Sequence, residues 1–231
     1  DKVDSLLICK TLSCNSFRLY TDTDVKTLQL KSLCRFRQNL KKSKARLKIQ
    51  LTSYVDTLFP ELQYFFKSGL HIKTCYELLK SYPSPDDIAA LHLTKLSNIL
   101  SKSSRGRFGN QDAESLKSLA KSSVGVKNTY ISIQITQTIA QIELIESQID
   151  ELEHIIENAM DELNSVIMSV PGIGKINGAM ILGEIGDVSR FSSAAQIVAF
   201  ACGKADENPN KAFAGGRPSS IIIGDQLNPE S

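Results

Sequence analysis

Two long stretches of the chain repeat apolar residues at helical spacing, and they differ sharply in charge. From Thr27 to Leu58, the residues Leu33, Phe36, Leu40, Leu47, Leu51, Tyr54 and Leu58 keep a three-or-four spacing. That predicts one amphipathic helix, closed by Pro60. From Ile131 the period becomes seven. Ile135, Ile142, Ile149, Ile156 and Leu163 hold one position, and Thr138, Ile145, Leu152, Ala159 and Val166 follow each by three. Such an a/d pattern predicts a coiled-coil helix. A β-branched a position with Ile or Leu at d suits a seam between chains, so Ile135, Ile142, Ile145, Ile149, Leu152, Ile156 and Leu163 are the candidate dimerisation residues. An antiparallel partner within the chain is the alternative. The Leu33–Leu58 helix, basic where this arm is acidic, is then the natural candidate.

Between these helices the pattern predicts a helical region with short loops. In Tyr82-Pro83-Ser84-Pro85-Asp86-Asp87, a Ser or Asp can cap the helix that carries Ile88, Leu91, Leu96 and Leu100. A second turn follows at Ser103-Ser104-Arg105-Gly106-Arg107-Phe108-Gly109. Beyond the heptads, Pro171-Gly172-Ile173-Gly174 predicts a tight turn into a helix with Gly178 and Ala179 on one face. Free N–H groups at the start of that helix, with Lys175 beside them, make a helix-hairpin-helix-like site for a phosphate. A plain corner, with small residues for close packing, is the other reading. Residues 203–231 are rich in Gly, Pro, Asn and Ser and read as irregular. The fold class expected is mainly α.

Composition changes this picture little, but charge changes it considerably. Hydrophobic residues make up 42% and charged residues 23%, as in water-soluble globular proteins, and no apolar run is long enough for a membrane span. The five cysteines are scattered without zinc-knuckle spacing, which reads as reduced thiols of a cytoplasmic protein. The net charge of +2 conceals an asymmetry: residues 1–130 hold 22 Lys/Arg against 11 Asp/Glu, and residues 131–231 hold 5 against 14. Between Lys31 and Lys48 lie eight basic residues and no acidic one. Cations so crowded repel one another unless a polyanion neutralises them, which points to nucleic acid. The candidate contacts are Arg35, Arg37, Lys41, Lys42, Lys44, Arg46 and Lys48, with Arg105 and Arg107 on the second turn and Gly172, Gly174 and Lys175 at the third. A solvated basic face is the plain alternative.

The run from Ser169 to Ala201, SVPGIGKINGAMILGEIGDVSRFSSAAQIVAFA, resembles the carboxy-terminal domain of the one-ten family of insertion-sequence transposases. The opening Asp1-Lys2-Val3-Asp4-Ser5, the basic helix and the YPSPDDIA turn resemble it too. The resemblance implies DEDD-type recombinases guided by an element-encoded RNA. Four carboxylates of a RuvC-like domain hold Mg²⁺, and a second domain supplies a serine nucleophile. Asp1 and Asp4 match the last two carboxylates and are the implied catalytic and metal residues, while no serine can be aligned with the nucleophile. The implied organisation is residues 1–129 as the end of a RuvC-like domain with the basic helix, 130–166 as a coiled-coil linker, 167–202 as the carboxy-terminal domain and 203–231 as a divergent tail. The implied partners are DNA, guide RNA and a second copy of the chain, without a membrane, in a cytoplasmic, nucleoid-associated setting. The missing acidic positions and the divergent tail read as a chain truncated at both ends and catalytically incomplete. A non-catalytic regulator that binds nucleic acid is the alternative.

Overall fold

The computed structural model describes residues 2–14, 22–186 and 191–206. Among them the chain is helical throughout, with ten α-helices and one 3-10 turn. In order these are α1 (Lys2–Ser13), α2 (Asp22–Leu58), α3 (Leu62–Phe65), α4 (Lys73–Ser81), α5 (Pro85–Ala90), α6 (Leu93–Ser104), α7 (Asn110–Lys121) and α8 (Thr129–Leu163). The 3-10 turn Val166–Ser169, α9 (Lys175–Ile185) and α10 (Ala194–Asp206) follow. The mainly-α expectation therefore holds. Packing divides the chain into two units, one drawn from Asp1–Cys34 with Ile156–Ser231, the other from Arg35–Ile155. The two long helices each contribute to both.

In the Arg35–Ile155 unit, α3 to α7 build a helical core on the paired stems of α2 and α8. Leu51, Val55 and Leu58 from α2 join Phe59, Phe66, Leu78, Ile88, Leu96, Leu100 and Leu116 in one buried cluster, together with Ile135, Ile139 and Ile142 of α8. Ser84 caps its helix as expected, although that helix ends at Ala90 and a separate one, α6, carries Leu96 and Leu100. The Ser84 hydroxyl accepts from the Asp87 N–H, and the Asp87 carboxylate accepts from the Ser84 N–H, with Pro85 in the first turn. Such a capping box satisfies two otherwise orphaned donors. Ser84→Ala should destabilise this unit by about 1 kcal/mol in urea unfolding. Ser84→Asp should retain most of the stability, and an equal loss in both variants would show that the cap is not what matters.

The heptad stripe of α8 is covered within the chain. Ile135, Ile142, Ile149 and Ile156 are buried, and Ile145, Leu152 and Leu163 are half-buried. Within the chain, the antiparallel pairing of α8 with α2 is formed. Arg37 and Lys44 on α2 meet Glu153 and Glu146 on α8, so one helix ascends as the other descends. Phe36, expected on the apolar face, is instead about half exposed.

In the other unit, Leu30 and Cys34 pack with Ile156, Met160 and Ala179. The small residues of α9 make this possible. A Cβ on Gly183 would lie 2.9 Å from the Lys31 Cα, and one on Gly178 would lie 3.2 Å from the Met168 sulfur. The close-packing reading of Gly178 and Ala179 is thus the one realised, with both buried. Helix α1 packs little of its surface: Val3, Leu6, Leu7, Ile8 and Leu12 are all exposed. The five cysteines are free thiols, of which Cys34 and Cys75 are buried. No helix among the described residues is long and apolar enough to cross a membrane.

Candidate nucleic-acid interface

The basic stretch of α2 separates into two sets once its neighbours are known. Arg37 is held by Glu153: its Nε donates to Oε1 at 2.7 Å, and a second nitrogen reaches the same oxygen. Its side chain is only 10% exposed. Lys41 lies 3.8 Å from the same carboxylate, Lys44 lies 3.5 Å from Glu146, and Lys31 pairs with Glu184 at 3.3 Å. The expectation that these cations lack compensating carboxylates is therefore corrected. No acidic residue lies among them in sequence, but α8 and α9 supply the acids through space. Lys48 stands beside His71, whose imidazole is held below its usual value by desolvation and then by the Lys48 charge.

The second set faces away. At about 100° per residue, Arg35, Lys42 and Arg46 all fall within about 40° of the direction opposite Arg37. All three are exposed. Neither Lys42 nor Arg46 has an ion pair among the described residues. Over this face runs a rise of about 16 Å, alongside which one strand of a duplex places about five phosphates. Sequence reasoning found all of these cations but could not sort them, because the sorting depends on which face α8 covers.

Arg105 and Arg107 are exposed at the α6–α7 connection, where Arg105 caps α6 in the left-handed region and Gly106 follows at φ +81°. At the third turn, Gly172 has φ +87° and Gly174 caps α9, as the glycines predicted. The element before the turn is a 3-10 turn rather than an α-helix. Lys175, expected beside a phosphate, donates to Asp161 at 2.6 Å, so an internal carboxylate already answers its charge.

Of the expected catalytic pair, Asp1 lies outside the described residues and Asp4 is exposed on α1. Among the described residues no group of three or more His, Cys, Asp or Glu side chains is placed to hold a metal ion. The described residues by themselves do not assemble a Mg²⁺ site.

Comparison with known proteins finds likenesses of two kinds. Among curated proteins, the chain is 27% identical over 180 residues to the mini-circle putative transposase for IS117 of Streptomyces coelicolor, covering 73% of this chain and 43% of that protein. Short likenesses occur to glucose-6-phosphate isomerase of Treponema denticola, 68% identical over 38 residues, and of Chlamydia pneumoniae, 57% over 37. Each covers 16% of this chain and 7% of the isomerase, shorter than the roughly 40 residues below which a chain seldom folds alone. The chain spans less than half the length of these relatives. Residues 164–207, which hold the third turn, α9 and α10, match the family model described as Transposase IS116/IS110/IS902 family.

Proposed function

We propose that the chain acts in transposition of an insertion sequence and binds nucleic acid through the outward face of α2. The observation that carries this is the division of the α2 cations. Arg37, Lys41 and Lys44 are engaged by α8, while Lys42 and Arg46 are exposed on the far side beside Arg35. The similarity to a transposase supplies the process, and the charge arrangement supplies the class of partner. DNA is the partner a transposase family implies, and an RNA backbone offers the same phosphates to the same cations. The glucose-6-phosphate isomerase likeness is too short to bring an isomerase site with it.

The test is a salt titration of binding. The full chain is titrated with a 30-base-pair duplex and with a structured RNA by fluorescence anisotropy over a range of KCl. Lys42→Ala with Arg46→Ala should weaken binding uniformly across sequences and lower the slope of log affinity against log salt by about 2. Lys44→Ala, which removes an internally paired cation, should leave the slope unchanged. Equal slopes for the parent and the Lys42/Arg46 double variant would sink the reading.

A further inference from the structure

We propose that the α6–α7 connection is a second, preformed contact for the phosphate backbone, with Arg105 and Arg107 as its donors. This rests on the nucleic-acid reading above. Arg105 occupies φ +57°, ψ +43°, a left-handed conformation that L-residues with a large side chain avoid and that glycine fills freely. Among the described residues, the other non-glycine residue with positive φ is Asn164, of the type that tolerates it. A glycine is available one step later, at Gly106, yet the left-handed cap position carries an arginine.

The connection is also held rigid from below. The ring of Phe108 stacks on Phe65 at 5.8 Å and meets Phe66 edge-on at 5.5 Å. The Phe108 N–H donates to the Ser104 hydroxyl at 3.0 Å, and the Gly106 N–H donates to the Ser101 carbonyl at 2.8 Å. Backbone and ring are thus fixed, while both guanidinium groups are exposed, and neither makes an ion pair among the described residues. Guanidinium matches a phosphate with two parallel hydrogen bonds, and donors on a fixed backbone lose little freedom on binding. Retaining a side chain at a disfavoured backbone position is explained by what that side chain reaches.

Strain and charge make opposite predictions for one substitution. Arg105→Gly should raise the melting temperature by about 2–4 °C while weakening nucleic-acid binding several-fold. Arg107→Ser should weaken binding with no change in melting, and the pair together should lower the salt slope by about 2. The duplex and RNA titrations show which backbone the loop meets: loss on one alone assigns that source, and loss on both assigns the shared phosphate chemistry. Unchanged affinity and slope in the Arg105→Gly, Arg107→Ser double variant, with Lys42→Ala, Arg46→Ala still defective, would overturn the loop and leave the α2 reading standing. Unchanged binding in both double variants would remove the α2 reading itself. If Arg105→Gly melts lower, Arg107→Ser decides: normal binding by that variant overturns the proposal.

Discussion

Gly125→Ala should unfold the chain more readily by about 3 kcal/mol, the largest loss expected from a single methyl group here. A Cβ at this position would lie 1.9 Å from the Leu58 carbonyl oxygen and 2.5 Å from its carbon. Both are backbone atoms at the end of α2, so no side-chain rotation relieves the clash. The strap from α7 to α8 must instead withdraw. Withdrawal breaks the hydrogen bond from the Val126 N–H to the Thr57 carbonyl, 2.9 Å, one of the terminal carbonyls a helix leaves unpaired. It also loosens the hold of Glu61, whose carboxylate accepts from the Ser123 hydroxyl at 2.7 Å and the Val124 N–H at 2.9 Å. Burial pushes the Glu61 carboxyl up, but these hydrogen bonds outweigh it and hold it below its usual value. Urea unfolding followed by circular dichroism checks the prediction, with Val124→Ala, at a position 81% exposed, as the neutral comparison. An alanine at 125 that unfolds within about 0.5 kcal/mol of the parent would show the strap free to move.

That strap illustrates what the sequence does not disclose. Ser122-Ser123-Val124-Gly125-Val126-Lys127-Asn128 reads as an ordinary polar connection, and the need for glycine arises only where Leu58 comes to lie against it. Local signals were more legible. Ser84 with Asp87 announced a cap because the reciprocal hydrogen bonds lie within one turn, and Pro60 announced the end of α2. The helix begins at Asp22, five residues before the first residue assigned to it, since its opening turns carry little apolar periodicity. The heptads correctly demanded cover for α8 but carried no information on whose residues provide it. Arg105 was legible as a candidate cation, but not as a left-handed residue, because the neighbouring Gly106 is the position a sequence rule would choose for that conformation.

The division of the α2 cations yields the second large effect, in which stability falls and binding is unchanged. Glu153→Ala should destabilise the chain by about 2 kcal/mol, because it strands Arg37, whose side chain is 10% exposed, without its counter-charge. The partial exposure of Glu153, 31%, keeps the figure below that of a fully buried pair. Replacing both partners, as Arg37→Met with Glu153→Leu, should recover most of the loss, since neither charge is then left desolvated. Binding follows a different logic. Glu153 also pairs with Lys41, which like Arg37 lies on the side of α2 that meets α8 and not on the outward face. Its removal should therefore leave the salt slope for duplex binding unchanged while the protein melts earlier. A slope raised by about 1 would mean that the polyanion reaches Lys41 and that the contact is not confined to the outward face.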